Sequence, residues 1–501
     1  MSKLRVLVCE DNEEWRRVVT EIVKRLADDI YVDSVGRQED ALQCVKDNSY
    51  QIMIVDLNLE NGSVQDGMRL LGEIRRSARN RRCGIIVLTA DTNIDNVKLA
   101  LAAHKASDFI EKASFTQSEF VAILRNAIFD IRLWEAVHKE ETCYHLTVSF
   151  DEKGLLGSEL SGPGLRSNHR QSFAFEVDEI VRRADQINWM ITNGGPDVWR
   201  RESQAIGKVL NEVLVSERHT LINLAAARAI AQSSSDIWLQ FKGPDIGLGI
   251  PFELLRDESG DLGLRHVLTR QIAPTAMSRN TGTFRDFFNK LKQNGDQLRV
   301  FIVGAGYEDL QAVEQEVRSL ERSMQSDLNL LGIPNRIRAI VGNEVSYETV
   351  IQALKDDSYH ILHFAGHGYH DDALPENSGI GLKEGDGLLT AGMIDSLLRD
   401  KGSQMVYLST CLSARTAKDA ARGDFRSLFH ALINADVPIV TGFRWEVADE
   451  PAMHLAEVFY RELWQTFSPG EAMLQARLYA SRELGKDDET WASPVLLMQN
   501  P

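Results

Sequence analysis

Residues 51–57 read QIMIVDL, in which the apolar run 52–55 is followed by Asp56 and Leu57. This pattern decides the fold of the first part of the chain. Unbroken apolar runs of this length are typical of strands buried on both faces of a parallel sheet. Similar runs are RVLVCED (5–11), DIYVDSV (29–35), GIIVLTA (84–90) and DFIEKAS (108–114). Apolar residues recur at helical spacing over 12–27, 37–48, 66–78, 93–104 and 116–139. We therefore predict an α/β fold with a doubly wound sheet of five parallel strands.

Polar side chains stand where these predicted strands end. Glu10 and Asp11 follow the first strand, Asp56 the third, Thr89 the fourth and Lys112 the fifth. Because the carboxyl ends of parallel strands meet at one edge of a sheet, we expect these side chains to share one pocket. Carboxylates crowded in this way repel one another unless a cation is present, and Mg²⁺ takes oxygen ligands beside a phosphate. A carboxylate facing Mg²⁺ can attack a phosphoryl group, whose oxygens Thr89 and Lys112 would bind. The alternative is that these are charged loop ends with no shared chemistry.

The same residues, in this order on these strands, resemble the receiver domain of two-component response regulators over residues 1–131. The resemblance implies that Asp56 accepts the phosphoryl group and that Glu10, Asp11, Asp56 and the Asn58 carbonyl bind Mg²⁺. It implies that Thr89, Lys112 and Phe109 form the phosphoryl-binding and switch residues, with a sensor histidine kinase as partner. It also allows a homodimer formed through the receiver. The chain departs from the receiver pattern at Ala113, where proline is usual after the lysine.

Composition limits the kinds of partner. Acidic residues outnumber basic ones by 73 to 56 in the 501 residues, and the formal net charge is −17. This balance argues against a nucleic-acid-binding surface, which needs clustered positive charge. No apolar run reaches the ~18 residues of a membrane span, and the first residues lack the apolar core of a signal peptide. The five cysteines are scattered without a CxxC pair, which suits a reducing cytosol. We therefore expect a cytoplasmic protein with no nucleic-acid partner and no membrane span.

A second α/β region begins at residue 235, with strands predicted first in DIWLQF (236–241), GIPFELL (249–255), DLGLRHVLTRQI (261–272) and RVFIVGAG (299–306). Later strands are predicted in RIRAIVG (336–342), YHILHFAGHG (359–368), QMVYLSTC (404–411) and VPIVTGF (437–443). Helices are predicted over 308–331, 346–355, 390–399, 424–434, 450–467 and 469–484.

Two of these strands end in reactive side chains. His367 and Cys411 would both lie at strand carboxyl ends, on the same edge of the sheet. A nearby imidazole helps to generate a thiolate, and the backbone N–H groups of Gly368 and Cys411 would form an oxyanion hole. The alternative is that Cys411 is an inert buried cysteine and His367 a loop histidine.

Several segments of this region resemble the CHAT family of caspase-like cysteine peptidases over residues 235–501. They are HFAGHG (363–368), LSTC (408–411), VPIVTGFRWEVAD (437–449), FYRELW (459–464), EAMLQAR (471–477) and GIPFELL (249–255). The resemblance implies that His367 is the general base and Cys411 the nucleophile of a cysteine endopeptidase. The residues expected near its substrate pocket are Arg444, Trp445, Glu384 and Asp386. Many bacterial relatives process a neighbouring effector protein, for example a gasdermin-like pore former.

Between the two regions we expect a connector helix and an intermediate α+β segment at 132–234. It would contain strands in CYHLTVSFDEKGLLGSEL (143–160) and helices over 173–192 and 198–231. The Gly- and Pro-rich SGPG (161–164) would interrupt the regular structure between them. The favoured function is a response regulator whose output is a caspase-like endopeptidase gated by Asp56 phosphorylation. The alternatives are a catalytically inactive caspase-like scaffold whose partner binding is regulated by the receiver, and a phosphoryl sink whose only output is dimerisation.

Overall fold

The computed structural model of the chain describes residues 4–26, 30–59, 64–77, 79–90, 100, 104, 106–151, 156–171, 182, 186, 196–215, 218–244, 249–272, 282–305, 311–371, 374, 377–383, 387–410, 417–418, 425–426, 428–485 and 488–499. The chain divides into two compact units. The first consists of Met1–Glu135 with Asp327–Ile333, and the second of Ala136–Ser326 with Pro334–Pro501.

The first unit is built on a sheet of five parallel strands in the order β2-β1-β3-β4-β5. Its strands are β1 (Leu4–Cys9), β2 (Ile30–Val35), β3 (Ile52–Val55), β4 (Gly84–Thr89) and β5 (Asp108–Glu111). Its helices are α1 (Glu13–Lys24), α2 (Gln38–Asp47), α3 (Val64–Arg76) and α4 (Gln117–Glu141), the last of which runs past the end of the unit. The predicted doubly wound sheet is confirmed. The predicted helix 93–104 lies almost entirely outside the described residues.

Local sequence explains these elements. Strands β3 and β4 are buried along their whole length, as their unbroken apolar runs predict. Asn12 begins α1 by accepting a hydrogen bond from the Trp15 N–H, so the loop after β1 turns directly into a helix. A Cβ atom at Gly67 would lie 2.3 Å from the Leu57 Cα, so glycine allows α3 to approach the chain just beyond β3.

The second unit contains a mixed sheet of eleven strands in the order β14-β13-β15-β19-β22-β23-β12-β9-β6-β7-β8. Their bounds are β6 (Tyr144–Phe150), β7 (Leu156–Gly162), β8 (Leu165–Gln171), β9 (Ile237–Gly243), β12 (Val267–Ile272), β13 (Leu298–Gly304), β14 (Asn335–Val341), β15 (Ile361–Gly366), β19 (Met405–Thr410), β22 (Ile439–Phe443) and β23 (Pro494–Met498). Short strands outside it are β10 (Arg256–Asp257), β11 (Gly260–Asp261), β16 (Gly368–Tyr369), β17 (Gly379–Gly381), β18 (Leu388–Thr390), β20 (Ala417–Lys418) and β21 (Phe425–Arg426).

The helices of the second unit are α5 (Pro196–Leu210), α6 (Arg218–Ile230), α7 (Phe284–Asn294), α8 (Gln311–Leu330), α9 (Tyr347–Asp356), α10 (Ala391–Leu398), α11 (Leu428–Asn434), α12 (Asp449–Thr466) and α13 (Pro469–Glu483). A large apolar core lies on one face of the sheet, beneath α9, α10 and α11. Within the described part of the chain, no helix combines the length and the apolar character needed to cross a membrane.

The second unit differs from the sequence prediction in several places: the helix predicted over 198–231 is divided into α5 and α6, for example, and α7 was not predicted. The predicted strand GIPFELL is instead a 3₁₀ turn at Phe252–Leu254, because Pro251 cannot donate to a ladder and the Glu253 side chain is held by distant arginines. The terminal strand β23 was not predicted, and it pairs antiparallel with β22. The 143–171 strands join the main sheet through β6 and β9, and SGPG forms the turn between β7 and β8. The predicted helix 173–192 lies almost entirely outside the described residues.

Candidate functional site

The sheet of the first unit brings Glu10 and Asp56 side by side. Strands β1 and β3 are parallel neighbours with Cys9 opposite Val55, so the next residue of each strand leaves the sheet at the same edge. Backbone bonds fix both residues, since the Glu10 N–H donates to the Val35 carbonyl at 3.1 Å and the Asp56 N–H to the Cys9 carbonyl at 2.9 Å. The two side chains are almost fully buried.

Lys112 joins these two carboxylates. Its Nζ lies 2.6 Å from Asp56 Oδ2 and 2.7 Å from Glu10 Oε2, and 11% of its side chain is exposed. Burial alone would lower the pKa of Lys112, but the hydrogen bonds that Lys112 donates to Asp56 and Glu10 outweigh it and raise the pKa. Burial raises the pKa of Glu10 to about 7, even though the bond from Lys112 opposes the rise. The pocket thus sets two buried carboxyl groups against Lys112, with burial favouring the neutral form of Glu10 and the lysine opposing it.

The same pocket offers a set of oxygen ligands. One carboxylate oxygen each from Glu10, Asp11 and Asp56 lies within 4.8 Å of the others, and Asp11 faces solvent. The Asn58 N–H donates to Asp56 Oδ1 at 3.0 Å, while the buried Asn58 Oδ1 has no hydrogen-bond partner among the described residues. Arg16 steadies the acidic loop by donating to the Glu10 carbonyl at 2.7 Å. These donors fit a hard divalent cation, which prefers carboxylate and carbonyl oxygens.

The predicted switch residues lie on β4 and β5. Thr89 is fully buried at the end of β4 and is the register partner of Glu111, so Lys112 follows directly on the neighbouring strand. Phe109 pairs with Val87 and packs, half-buried, against the core of the unit. Lys112 and Ala113 lie in a 3₁₀ turn at Lys112–Ser114, which carries the lysine into the pocket where receivers usually have a proline turn.

In the second unit, β15 and β19 are parallel neighbours whose last residues, Gly366 and Thr410, are register partners. Gly366 has φ +144°, and a Cβ there would lie 2.3 Å from the Ala305 Cβ, so the strand end requires glycine. The half-buried His367 follows at once, and its carbonyl accepts a hydrogen bond from the Gly381 N–H at 2.9 Å. Cys411, the predicted nucleophile, lies outside the described residues.

The remaining predicted residues of this site differ in their surroundings. Gly368 begins the short strand β16, which pairs with β17. Trp445 is fully buried and packs on Trp199 with ring centroids 5.2 Å apart. The Arg444 guanidinium donates to the Gly249 carbonyl at 2.9 Å. These are contacts of core residues, and a place for Arg444 and Trp445 in a substrate pocket stays a prediction. Glu384 and Asp386 lie outside the described residues.

Comparison with known families covers both units. The CHAT domain family model matches residues 204–499, more than half of the chain. The chain belongs to the CHAT domain family. The response regulator receiver domain model matches residues 6–125, so the chain carries a receiver domain ahead of its CHAT domain. None of the curated proteins compared matches the chain.

Three solved structures are similar to part of the chain. A sensor protein from Polaromonas sp. JS666 is 26% identical, with 26% of this chain and 98% of that chain covered and a TM-score of 0.23. The receiver domain of a sensor histidine kinase from Pseudomonas aeruginosa PAO1, solved with magnesium in its active site cleft, is 24% identical, with 24% and 94% covered and a TM-score of 0.22. The signal receiver domain of a putative Luxo repressor protein from Vibrio parahaemolyticus is 24% identical, with 27% and 97% covered and a TM-score of 0.24.

The CHAT domain also contains a buried ion network that was not predicted from the sequence. The fully buried Glu253 makes a two-pronged contact with Arg270, in which Arg270 Nη2 donates to Glu253 Oε2 at 2.6 Å. Arg477 Nη2 lies 3.4 Å from Glu253 Oε1 and donates to the Pro494 carbonyl at 2.7 Å. Burial alone would raise the pKa of Glu253, but Arg270 and Arg477 hold it below its ordinary value. The segments GIPFELL and EAMLQAR thus meet through this network, which a glutamate within an apolar run could have indicated.

A second buried polar cluster lies under β15, four residues before His367. His363 is fully buried, with Nε2 3.0 Å from Glu316 Oε1 on α8 and Nδ1 3.3 Å from the Tyr460 hydroxyl on α12. The His363 ring stacks on Tyr407 of β19 at 5.0 Å, and burial raises the pKa values of Tyr407 and Tyr460 well above normal. The cluster ties two helices to the two strands that end at the candidate catalytic edge.

Proposed function

We propose that the chain is a response regulator whose output is a caspase-like cysteine endopeptidase, controlled by phosphorylation of Asp56. The observation that carries the peptidase proposal is the pairing of Gly366 with Thr410 at the ends of adjacent parallel strands. His367 and Cys411 are the next residues of the chain after this pair. A histidine and a cysteine that leave a sheet from neighbouring strand ends are suited to act together as base and nucleophile.

The proposed reaction is acyl transfer to a thiol. His367 takes the proton of the Cys411 thiol, and the thiolate attacks the scissile carbonyl, whose oxygen is bound by the N–H groups of Gly368 and Cys411. The C–N bond then breaks as His367 returns the proton to the leaving amine. Water, deprotonated by His367, hydrolyses the thioester and releases the acid product and free Cys411.

Control would come from the receiver domain. Asp56 accepts a phosphoryl group from a sensor histidine kinase, and Thr89 and Lys112 bind its oxygens. Glu10, Asp11, Asp56 and Asn58 would hold Mg²⁺, which neutralises charge that develops on the phosphoryl group when it is bound. Lys112 already bridges Glu10 and Asp56, so a new negative group on Asp56 would change the bonds that Lys112 makes. Phe109, which pairs with Val87 two residues before Thr89, would carry this change to the surface of the receiver.

The proposed partners follow from these two activities. They are a sensor histidine kinase and a protein substrate, for which a gasdermin-like effector is the candidate by family analogy. A homodimer through the receiver, a cytoplasmic location and the absence of a nucleic-acid partner stay predictions. Near the substrate, Arg444, Trp445, Glu384 and Asp386 stay candidates for the pocket.

The peptidase proposal is tested by covalent labelling with a cysteine-directed acylating peptide probe. We expect labelling of the wild-type chain and its loss in Cys411→Ala, with strong reduction in His367→Ala. Cys44→Ala is the matched control, because Cys44 is a half-buried free cysteine of the receiver and should not affect labelling of the CHAT domain. Labelling that persists in Cys411→Ala would refute the assignment of the nucleophile.

Control by the receiver is tested separately. Beryllofluoride with Mg²⁺ mimics the phosphorylated aspartate and should change the labelling rate of wild type. Asp56→Asn should remove this response and leave basal labelling in place. Equal rates with and without beryllofluoride would refute control by Asp56 while leaving the peptidase proposal standing.

A further inference from the structure

Helix α6 of the CHAT domain presents an apolar face to solvent. The outward residues form two adjacent rows at four-residue spacing, which we call the α6 face: Leu221, Ala225 and Ala229, and Ile222, Ala226 and Ile230. Leu221 is 48% exposed, Ile222 54% and Ile230 48%. Large apolar side chains gathered in this way on one exposed helix face mark interaction sites, whereas single ones are ordinary.

The inward side of the same helix is more polar than its outward side. Thr220 and Asn223 are buried, and the Asn223 amide donates to Ser158 Oγ of β7 at 3.4 Å. Arg228, the charged residue within 221–230, is engaged away from the α6 face, with Nη2 2.9 Å from Asp257 Oδ2. Leu224 and Ala227 are also buried, so the helix has apolar residues on its inward and outward sides alike, whereas an ordinary surface helix turns polar side chains to water. The α6 face therefore has the composition of a buried surface.

We propose that the α6 face binds the α6 face of a second copy of the chain, with the two helices antiparallel. The row Ile222–Ala226–Ile230 reads the same in both directions, so a two-fold axis beside Ala226 places Ile222 of each copy opposite Ile230 of the other. The alanines at its centre allow two helices to approach closely. Rows at four-residue spacing are the ridges that interdigitate in the commonest packing of two helices.

Charge and size both bear on this choice of partner. Each chain carries a formal net charge of −17, which opposes association of two copies, so we expect them to meet through a surface that carries no charge. The described side chains of the α6 face carry no charge, which fits an equally uncharged copy better than a strongly basic partner. Ten helical residues span only about 15 Å. The face is thus the centre of a small interface, and we expect a reversible, concentration-dependent dimer.

The test is sedimentation velocity of the full-length chain over a concentration series. Wild type should shift from one-chain to two-chain mass as concentration rises. Ile222→Lys should weaken the dimer about tenfold or more, since each copy then buries a charge in the contact. Ala205→Lys is the matched control, because Ala205 is an exposed alanine on the neighbouring helix α5.

Two double variants test the antiparallel arrangement. Ile222→Lys with Ile230→Glu places opposite charges across the two-fold axis and should restore the dimer, whereas Ile222→Lys with Ile230→Lys places like charges there and should not. Restoration also demonstrates that the substituted chain folds. A wild-type chain that stays at one-chain mass, or a dimer unaffected by Ile222→Lys, overturns the proposal. Failure of the Lys–Glu variant to dimerise, with circular dichroism unchanged, overturns the antiparallel pairing.

Discussion

Replacing Glu253 by glutamine should destabilise the CHAT domain by about 4 kcal/mol. The substitution keeps the size and shape of the side chain and removes only its charge. Arg270 and Arg477, both almost fully buried, would then lie beside a neutral amide whose NH₂ group faces their own donors. The change therefore isolates the electrostatic role of the network from its packing.

The magnitude follows from what each arginine retains. Arg270 keeps a hydrogen bond to the Ile250 carbonyl at 2.7 Å, and Arg477 keeps one to the Pro494 carbonyl at 2.7 Å. The Nε and Nη1 atoms of Arg477 have no hydrogen-bond partner among the described residues, so Glu253 supplies much of what compensates its burial. Removing one partner of a buried ion pair costs about 3–5 kcal/mol of folding free energy. Because Glu253→Gln affects two arginines, we expect a cost in the upper half of this range. A typical domain has only about 5–15 kcal/mol of stability.

The assay is urea unfolding followed by tryptophan fluorescence. Glu258→Gln is the matched control, since it makes the same chemical change at an exposed position close by. The arginines hold the pKa of Glu253 below its ordinary value, so its contribution is present above the ordinary glutamate pKa of about 4.3 and is lost only as pH falls through the lower, folded value. The difference between the two variants should therefore be constant from about pH 8 to pH 5. If Glu253→Gln unfolds within about 0.5 kcal/mol of Glu258→Gln, the reasoning is refuted.

Two further predictions concern buried histidines of the same domain. His363→Phe should cost about 1–3 kcal/mol because Glu316 is left buried without its partner, and adding Glu316→Leu should recover most of the loss in the same urea assay. No recovery in the double variant would contradict this account. Burial lowers the pKa of His266 to about 4. Between about pH 6.5 and pH 4, His266 therefore binds a proton in the unfolded chain but not in the folded chain. Stability should fall in that range by up to about 3 kcal/mol, and His266→Gln should remove this part of the pH dependence; an unchanged slope would count against it.

The sequence predicts those parts of the fold that depend on short stretches of chain. Strands β3 and β4 of the receiver are unbroken apolar runs, and the sheet order follows from the doubly wound pattern, so the convergence of Glu10, Asp56 and Lys112 could be expected. Gly366 and Thr410 end their strands as register partners for the same reason. In both cases the sequence next to the strand is enough to predict which residue lies at its end, and no distant contact has to be known.

Contacts between distant segments could not be predicted in this way. Glu253 lies 224 residues from Arg477, and without that contact GIPFELL has the same apolar pattern as a strand. Strand β6 could be expected from its alternation, but its place in the main sheet depends on pairing with β9, which begins at Ile237. Helix α6 carries apolar residues on its inward side, at Leu224 and Ala227, as well as on its outward side, so periodicity alone does not distinguish the two.

The two candidate sites use the same edge of a parallel sheet in opposite electrostatic ways. Phosphoryl transfer to a carboxylate would bring negatively charged groups together, so the acidic cluster of the receiver needs cations, and Lys112 supplies one by bridging Glu10 and Asp56 at 2.6–2.8 Å. A thiol and an imidazole carry little charge before they react, so they need backbone N–H groups and close approach instead of a counter-ion. The end of β15 meets that need, since Gly366 adopts a conformation that other residues avoid and lies against Ala305. A bulky or charged residue at the end of β15 would displace His367, whereas loss of charge at the end of β3 would leave Lys112 with only Glu10 to bind. The candidate peptidase site should therefore be sensitive mainly to the shape of the residue at the strand end, and the receiver site mainly to its charge. This difference follows from the chemistry that each site is proposed to perform.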